Sequence, residues 1–145
     1  MRYNDEVINE HADIIKWSSV AQSPDLKYVS IDCLKKYECE FSNEDWEFIS
    51  QNQCLSEDFI REFKDKVDWT LICENQTLSE DFINEFEDKV DWSLISIYQR
   101  PFNKKFSIEF LKKNINKIDW GCYSVFHTLT TEEKKEFKKE LKKIK

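Results

Sequence analysis

The feature that most constrains the fold is a phrase that occurs twice. LSEDFIREFKDKVDW at Leu55–Trp69 returns 23 positions later as LSEDFINEFEDKVDW at Leu78–Trp92, with 13 of 15 residues identical; only Arg61/Asn84 and Lys64/Glu87 differ. Near-identity at a fixed offset is the signature of a repeat architecture, in which each unit covers an apolar face that its neighbour cannot cover alone. Within the phrase, Phe59, Ile60, Phe63 and Val67 fall at i, i+1, i+4 and i+8, one stripe of a helix. Ser56 is placed to cap it, Glu57 and Asp58 lie in the first turn where the helix dipole favours carboxylates, and Leu55 can staple against Ile60. The pattern predicts a helix running to about Lys66. Asp68 then caps a second, shorter helix with Trp69, Leu71 and Ile72, and Gln76-Thr77 forms the return turn.

Tryptophans at 17, 46, 69, 92 and 120, spaced 29, 23, 23 and 28, mark five repeats of approximate form W-x2-I-x3-Q-x-L-S-x2-F-I-x2-F-x3-V-D. The first is degenerate. A helix over 4–16 precedes it, Ser23-Pro24 stops the Trp17 helix because the residue before proline avoids the α region, and VSIDCL at 29–34 stands where LSEDFI would. The fourth carries five extra residues between Gln99 and the restart at Phe106, and the fifth runs into a lysine-rich helix. A single Gly and two Pro leave too few turn residues for an all-β chain of 145 residues. The expected fold is therefore all-α: a short α-solenoid of about five helix-pair repeats with a period near 23. The chain reads as one helical-repeat domain, 1–145, with a degenerate N-terminal cap and first repeat in 1–44, repeats in 45–119 and a C-terminal cap in 120–145. The tryptophans are expected in the core.

The formal net charge of −7 is unevenly spread: residues 1–100 carry 23 acidic and 10 basic side chains, residues 101–145 carry 6 and 12. Solvated helix faces explain such a balance, as would an acidic surface that attracts a basic partner and repels nucleic acid. No 18-residue apolar run and no apolar leader segment occur, so no membrane partner and a cytoplasmic protein are expected. Cys33, Cys39, Cys54, Cys73 and Cys122 are odd in number and form no CxxC pair, which points to reduced thiols in a cytosolic setting.

Signals for chemistry are weak. The paired carboxylates recur at helix starts, where capping explains them, whereas catalytic carboxylates need differentiated, buried settings. His11 and His127 lack motif partners, and a chain whose only glycine is Gly121 has no glycine-rich loop to cradle a phosphate. No catalytic residue, metal or cofactor is expected. The C-terminal lysines could touch nucleic acid, but Glu132 and Glu133 preceding them match a helix dipole, so direct nucleic-acid binding is not expected.

The phrase LSEDFI…F…KVDW in tandem resembles the tandem helical-repeat proteins of large DNA viruses and some phages, to which no catalytic residue is assigned. The resemblance spans about residues 45–120 and is specific at Leu55–Trp69 and Leu78–Trp92. It implies a viral or mobile-element origin, a host cytoplasm as location, and a helical-repeat fold.

Specificity is expected where the phrase breaks. Six positions past the repeat tryptophans stand Asn52, Asn75, Tyr98 and Phe126, and the insertion beside Tyr98 carries Arg100 and Phe102. Insertions in repeat arrays map to one face, and Tyr, Phe and Arg are favoured interface anchors. The leading expectation is a non-enzymatic protein-protein interaction module, a viral acidic scaffold that binds a host protein, for which an acidic surface favours a basic one, through Tyr98, Arg100, Phe102 and Phe126. One alternative is a nucleic-acid mimic that inhibits a host nucleic-acid-binding or defence protein, its phosphates imitated by the rows Glu57, Asp58, Glu62, Asp65 and Glu80, Asp81, Glu85, Asp88. Another is a small-ligand-binding protein or enzyme with a C-terminal pocket near Trp92, Tyr98 and His127, and a third is an assembly protein joined head to tail.

Overall fold

Serine and aspartate caps set the helix starts. The structure, a computed structural model, describes residues 2–99, 106–126 and 130–144, except the side chains of 124–126 and 144. Those residues hold α-helices, two short 3-10 turns and no strand. They cluster into two compact units, 1–76 and 77–145. The first contains α1 (Asp5–His11), α2 (Trp17–Ala21), α3 (Ile31–Lys36), α4 (Asn43–Asn52), α5 (Glu57–Glu62) and α6 (Trp69–Asn75), with 3-10 turns at Pro24–Tyr28 and Glu38–Glu40. In the second are α7 (Glu80–Glu85), α8 (Trp92–Tyr98), α9 (Ile108–Lys113), α10 (Trp120–Phe126) and α11 (Thr131–Ile144).

Ser30, Ser56, Ser79 and Ser107 cap α3, α5, α7 and α9, each accepting the backbone N–H three residues on at 3.1–3.2 Å. Asp68, Asp91 and Asp119 do the same for Leu71, Leu94 and Cys122 at 2.9–3.1 Å. These caps sit where the phrase placed them.

The helix expected to reach Lys66 instead stops at Glu62. Phe63 leaves the helical region (φ −102°, ψ 27°), and its carbonyl takes the N–H groups of both Lys66 and Val67 in a tight turn. The turn frees the Lys64 carbonyl, which accepts the Trp69 indole N–H at 2.8 Å. The same bond joins Trp92 to Glu87 and Trp120 to Ile115, at 3.1 and 2.8 Å. The indole thus takes a carbonyl that a continuing helix would have used. In the steps opened by Trp46, Trp69 and Trp92 the tryptophan-bearing helix, at 10, 7 and 7 residues, is longer than the 6-residue helix that follows, the reverse of the expected order, whereas the step opened by Trp17 keeps it, with 5 residues against 6. Trp69, Trp92 and Trp120 are half-buried latches on turns; only Trp46 is a core residue, at 4% exposure. Trp46 differs because Ser42 starts α4 one turn earlier through a capping box with Asp45, which puts this tryptophan inside its helix and leaves its indole N–H buried without a partner.

Helices α2, α4 and α6 pack in sequence in the first unit, and α8 packs on α10 in the second. The residue four after the tryptophan is Ala21, Ser50, Cys73 or Ser96, small and fully buried in each case. Small side chains let helices approach closely, and the hydroxyls add a bond. Ser50 donates to the Trp46 carbonyl at 2.7 Å and accepts from the Asp68 N–H at 3.0 Å. Ser96 repeats this with Trp92 and Asp119. The aspartate that caps the next helix is therefore itself held by the previous one. In the first unit the ring pair Phe59/Phe63 and the fully buried Ile60 complete the core; in the second the pairs Phe82/Phe86 and Phe106/Phe110 do so with Ile83 and Leu111, all three pairs having centroids 4.6–4.7 Å apart.

Candidate interaction site

Polar groups that recur from step to step bond inside the frame. Gln76, 7% exposed, donates from Nε2 to the carbonyls of Ser50 and Gln53 at 2.9 and 2.7 Å and accepts the Leu55 N–H at 3.1 Å. Gln53 donates to Ala21 and Ser23, and Gln99 accepts from Leu78 at 2.9 Å. Gln53 and Gln76 each follow a helix end and satisfy carbonyls of the step before, which a helix C-terminus leaves open. Sequence reading saw the glutamine as a turn residue and missed this clamp, although its fixed place seven residues past three of the tryptophans was the available signal.

Against that frame, the end of each Trp helix varies. Asn52 and Asn75 fold back on their own helices, their amides donating to Phe48 and Leu71 at 3.2 and 2.9 Å. Tyr98 occupies the same place on α8 and its ring is 49% exposed, one of four large apolar side chains the described surface leaves out. Arg100 and Phe102 lie outside the described residues, as does the Phe126 side chain, and so does His127 of the expected C-terminal pocket. The structure therefore places one of the four expected anchors.

The acidic rows are largely engaged within the chain. Arg61 pairs with Asp58 at 2.9 Å and with Glu57 at 3.8 Å, and Glu62 pairs with Lys35. Asp65 and Glu85 also have partners. Glu80 accepts the Ser107 backbone N–H and its hydroxyl, fastening the start of α9. Asp81 and Asp88 are exposed. Outside the rows, Glu87 pairs with Lys117, which holds its carboxyl below the usual range.

One open groove, of about 540 Å³, was not foreseen. It lies in the first unit between the 3-10 turn at Pro24–Tyr28 and the linker from α4 to α5, floored by Leu26, Val29, Leu55 and Phe59 with the exposed Cys54 at its edge. The residues that lengthen the first repeat build one wall of it, so the groove is a product of the irregular spacing.

Burial, followed by the Asp5 charge, pushes the Cys33 thiol up, away from a reactive thiolate. Burial holds the Tyr123 phenol up at about 12. Among the described residues no group of three or more His, Cys, Asp or Glu is placed to hold a metal ion, and no helix is long and apolar enough to cross a membrane. No protein-family model, curated protein or solved structure matches the chain.

Proposed function

We propose that the chain is a non-enzymatic interaction module: a short α-solenoid of helix-pair steps, with a period near 23, that presents a protein-binding surface at the C-terminal end of α8. The observation that carries this reading is Tyr98. An aromatic side chain stands half exposed at a place where neighbouring steps carry asparagines tied to their own helices. Exposed tyrosines on rigid elements are typical interface anchors, because they bring large contact area with little entropy to lose. The recurring serine, glutamine and indole bonds support the solenoid part of the proposal, since each ties one step to the next.

The partner we propose is a host protein, and the tandem phrase at Leu55–Trp92 supports a viral origin and action in the host cytoplasm. Nucleic-acid mimicry draws less support, because Glu57, Asp58, Glu62 and Glu80 already have partners within the chain. Capture from host-cell extract by wild type and by Tyr98→Ala, side by side, tests the reading. Loss of a specific partner by about tenfold or more is expected for the variant, and equal retention would remove Tyr98 from the site.

A further inference from the structure

The last helix has three sides, and two of them are accounted for within its own unit. Phe137, 3% exposed, lies against Trp120 with ring centroids 4.9 Å apart. Glu136 pairs with Lys112 of α9 at 2.5 Å. The third side carries Lys134, Lys138 and Lys142 in one row and Lys135, Lys139 and Lys143 in the next, all exposed. Lys143 pairs with Glu140 at 2.8 Å, and among the described residues the other five have no carboxylate within ion-pair distance.

Helix energetics alone do not explain this order. Lysines 134/138, 135/139, 138/142 and 139/143 are like-charge pairs at i, i+4, each destabilising by about 0.2–0.5 kcal/mol. The helix dipole favours cations only in the last turn, which covers Lys142 and Lys143; Lys134 and Lys135 lie near its positive end, and Lys138 and Lys139 lie mid-helix, where the dipole gives them nothing. Interleaving the same lysines and glutamates would give a more stable helix. Sorting them into a single-sign face makes sense where an outside anion opposes it.

The chain itself offers the complementary surface. From Tyr37 to Ile60 there are seven carboxylates and no Lys or Arg. Three of them, Glu40, Glu44 and Glu47, are exposed on α4 and the turn before it and have no ion pair among the described residues. We propose that the lysine face of α11 docks on the acidic face of α4 in a second copy of the chain, joining copies head to tail. A second copy fits better than nucleic acid, which the net charge of −7 repels, and better than a bilayer, into which α11 cannot insert while Phe137 is buried. Contacts between two different faces of one chain do not close by themselves, so the product is a concentration-dependent series of oligomers or a ring.

Sedimentation velocity of the full chain tests this. In about 0.01 M salt, where charges act over about 30 Å, the mean mass is expected to rise with concentration; in about 1 M salt, where they act over about 3 Å, it is expected to return to the monomer. Lys134→Glu/Lys138→Glu/Lys142→Glu and Glu40→Lys/Glu44→Lys/Glu47→Lys, each checked for native helicity, are expected to weaken association at least about tenfold alone and to restore it when mixed. A chain monomeric at every concentration in low salt would overturn the proposal, as would association that ignores both reversals. So would a monomer whose lysine face instead retains a DNA or RNA oligonucleotide, with retention lost in the lysine variant.

Discussion

Gln76 makes three hydrogen bonds that no smaller or apolar side chain can supply. Gln76→Leu leaves two helix-end carbonyls and the Leu55 N–H without their partner, and each buried polar group left open costs about 1–3 kcal/mol. A loss of about 3 kcal/mol is expected by urea unfolding, against a change within about 0.5 kcal/mol for Asn75→Ala, whose amide bonds only its own exposed turn. Asn114 is a second informative residue. It holds the core place that Phe63 and Phe86 hold in the phrase, and its Nδ2 donates to Asn84 at 3.0 Å while its Oδ1 is buried without a partner. One of the two differences between the repeated phrases, Arg61/Asn84, thereby acquires a reason: an asparagine in the next step's core needs a polar neighbour. A double-mutant cycle on Asn84 and Asn114 is expected to show coupling of about 1 kcal/mol; additive effects would reject that reason. Tyr123 provides a pH signature. Its folded pKa, about 12, lies above the ordinary value of 10.0, so the unfolded chain loses the proton first. Its contribution is complete below about pH 10 and declines between 10 and 12 by about 1.4 kcal/mol per unit. Urea midpoints across that range should fall more steeply in wild type than in Tyr123→Phe.

At the scale of elements, helix starts were legible and helix ends were not. A start is declared locally, by a serine or aspartate that bonds the N–H three residues on, and Ser56, Ser79, Asp68 and Asp91 act as the phrase indicated. Ser56→Ala is accordingly expected to cost about 1 kcal/mol, measurable by thermal unfolding. The ends depend on a competition that spacing does not display. Phe63 and Val67 continue the i, i+4, i+8 stripe, yet the chain turns between them, both remain buried, and the Trp69 indole claims the carbonyl the turn releases. That exchange also moves burial from the tryptophan to the phenylalanines. Phe63→Ala, at a fully buried site, should cost about 3–5 kcal/mol and more than the same change at half-buried Trp69. A Trp69→Ala variant that loses as much as Phe63→Ala would contradict this. Tryptophan spacing misled for a related reason at the start of the chain: the 29 residues from Trp17 to Trp46 include the 3-10 turn that walls the groove and the early start of α4.

For the whole molecule, the all-helical class followed from the phrase because a pattern repeated on one face can be buried only by neighbours of the same kind. The site was less legible. Exposure of Tyr98 depends on the end of α8 and not on any local pattern, and the groove arises from how an irregular spacing folds. The charge split along the chain was visible, but only the structure separates carboxylates that already have partners, such as Glu57, Glu62 and Glu80, from Glu44 and Glu47, which have no ion pair among the described residues. We propose that the steps are interchangeable scaffold and that recognition sits where they differ. Deleting residues 55–77 removes one period and joins Cys54 to Leu78, restoring the wording of the phrase at the junction. Thermal unfolding of this shortened chain, followed by circular dichroism, is the direct test. A helical chain that melts in one cooperative transition is expected; a chain that is unfolded, or that melts without cooperativity, would contradict the claim that the phrase is a structural step.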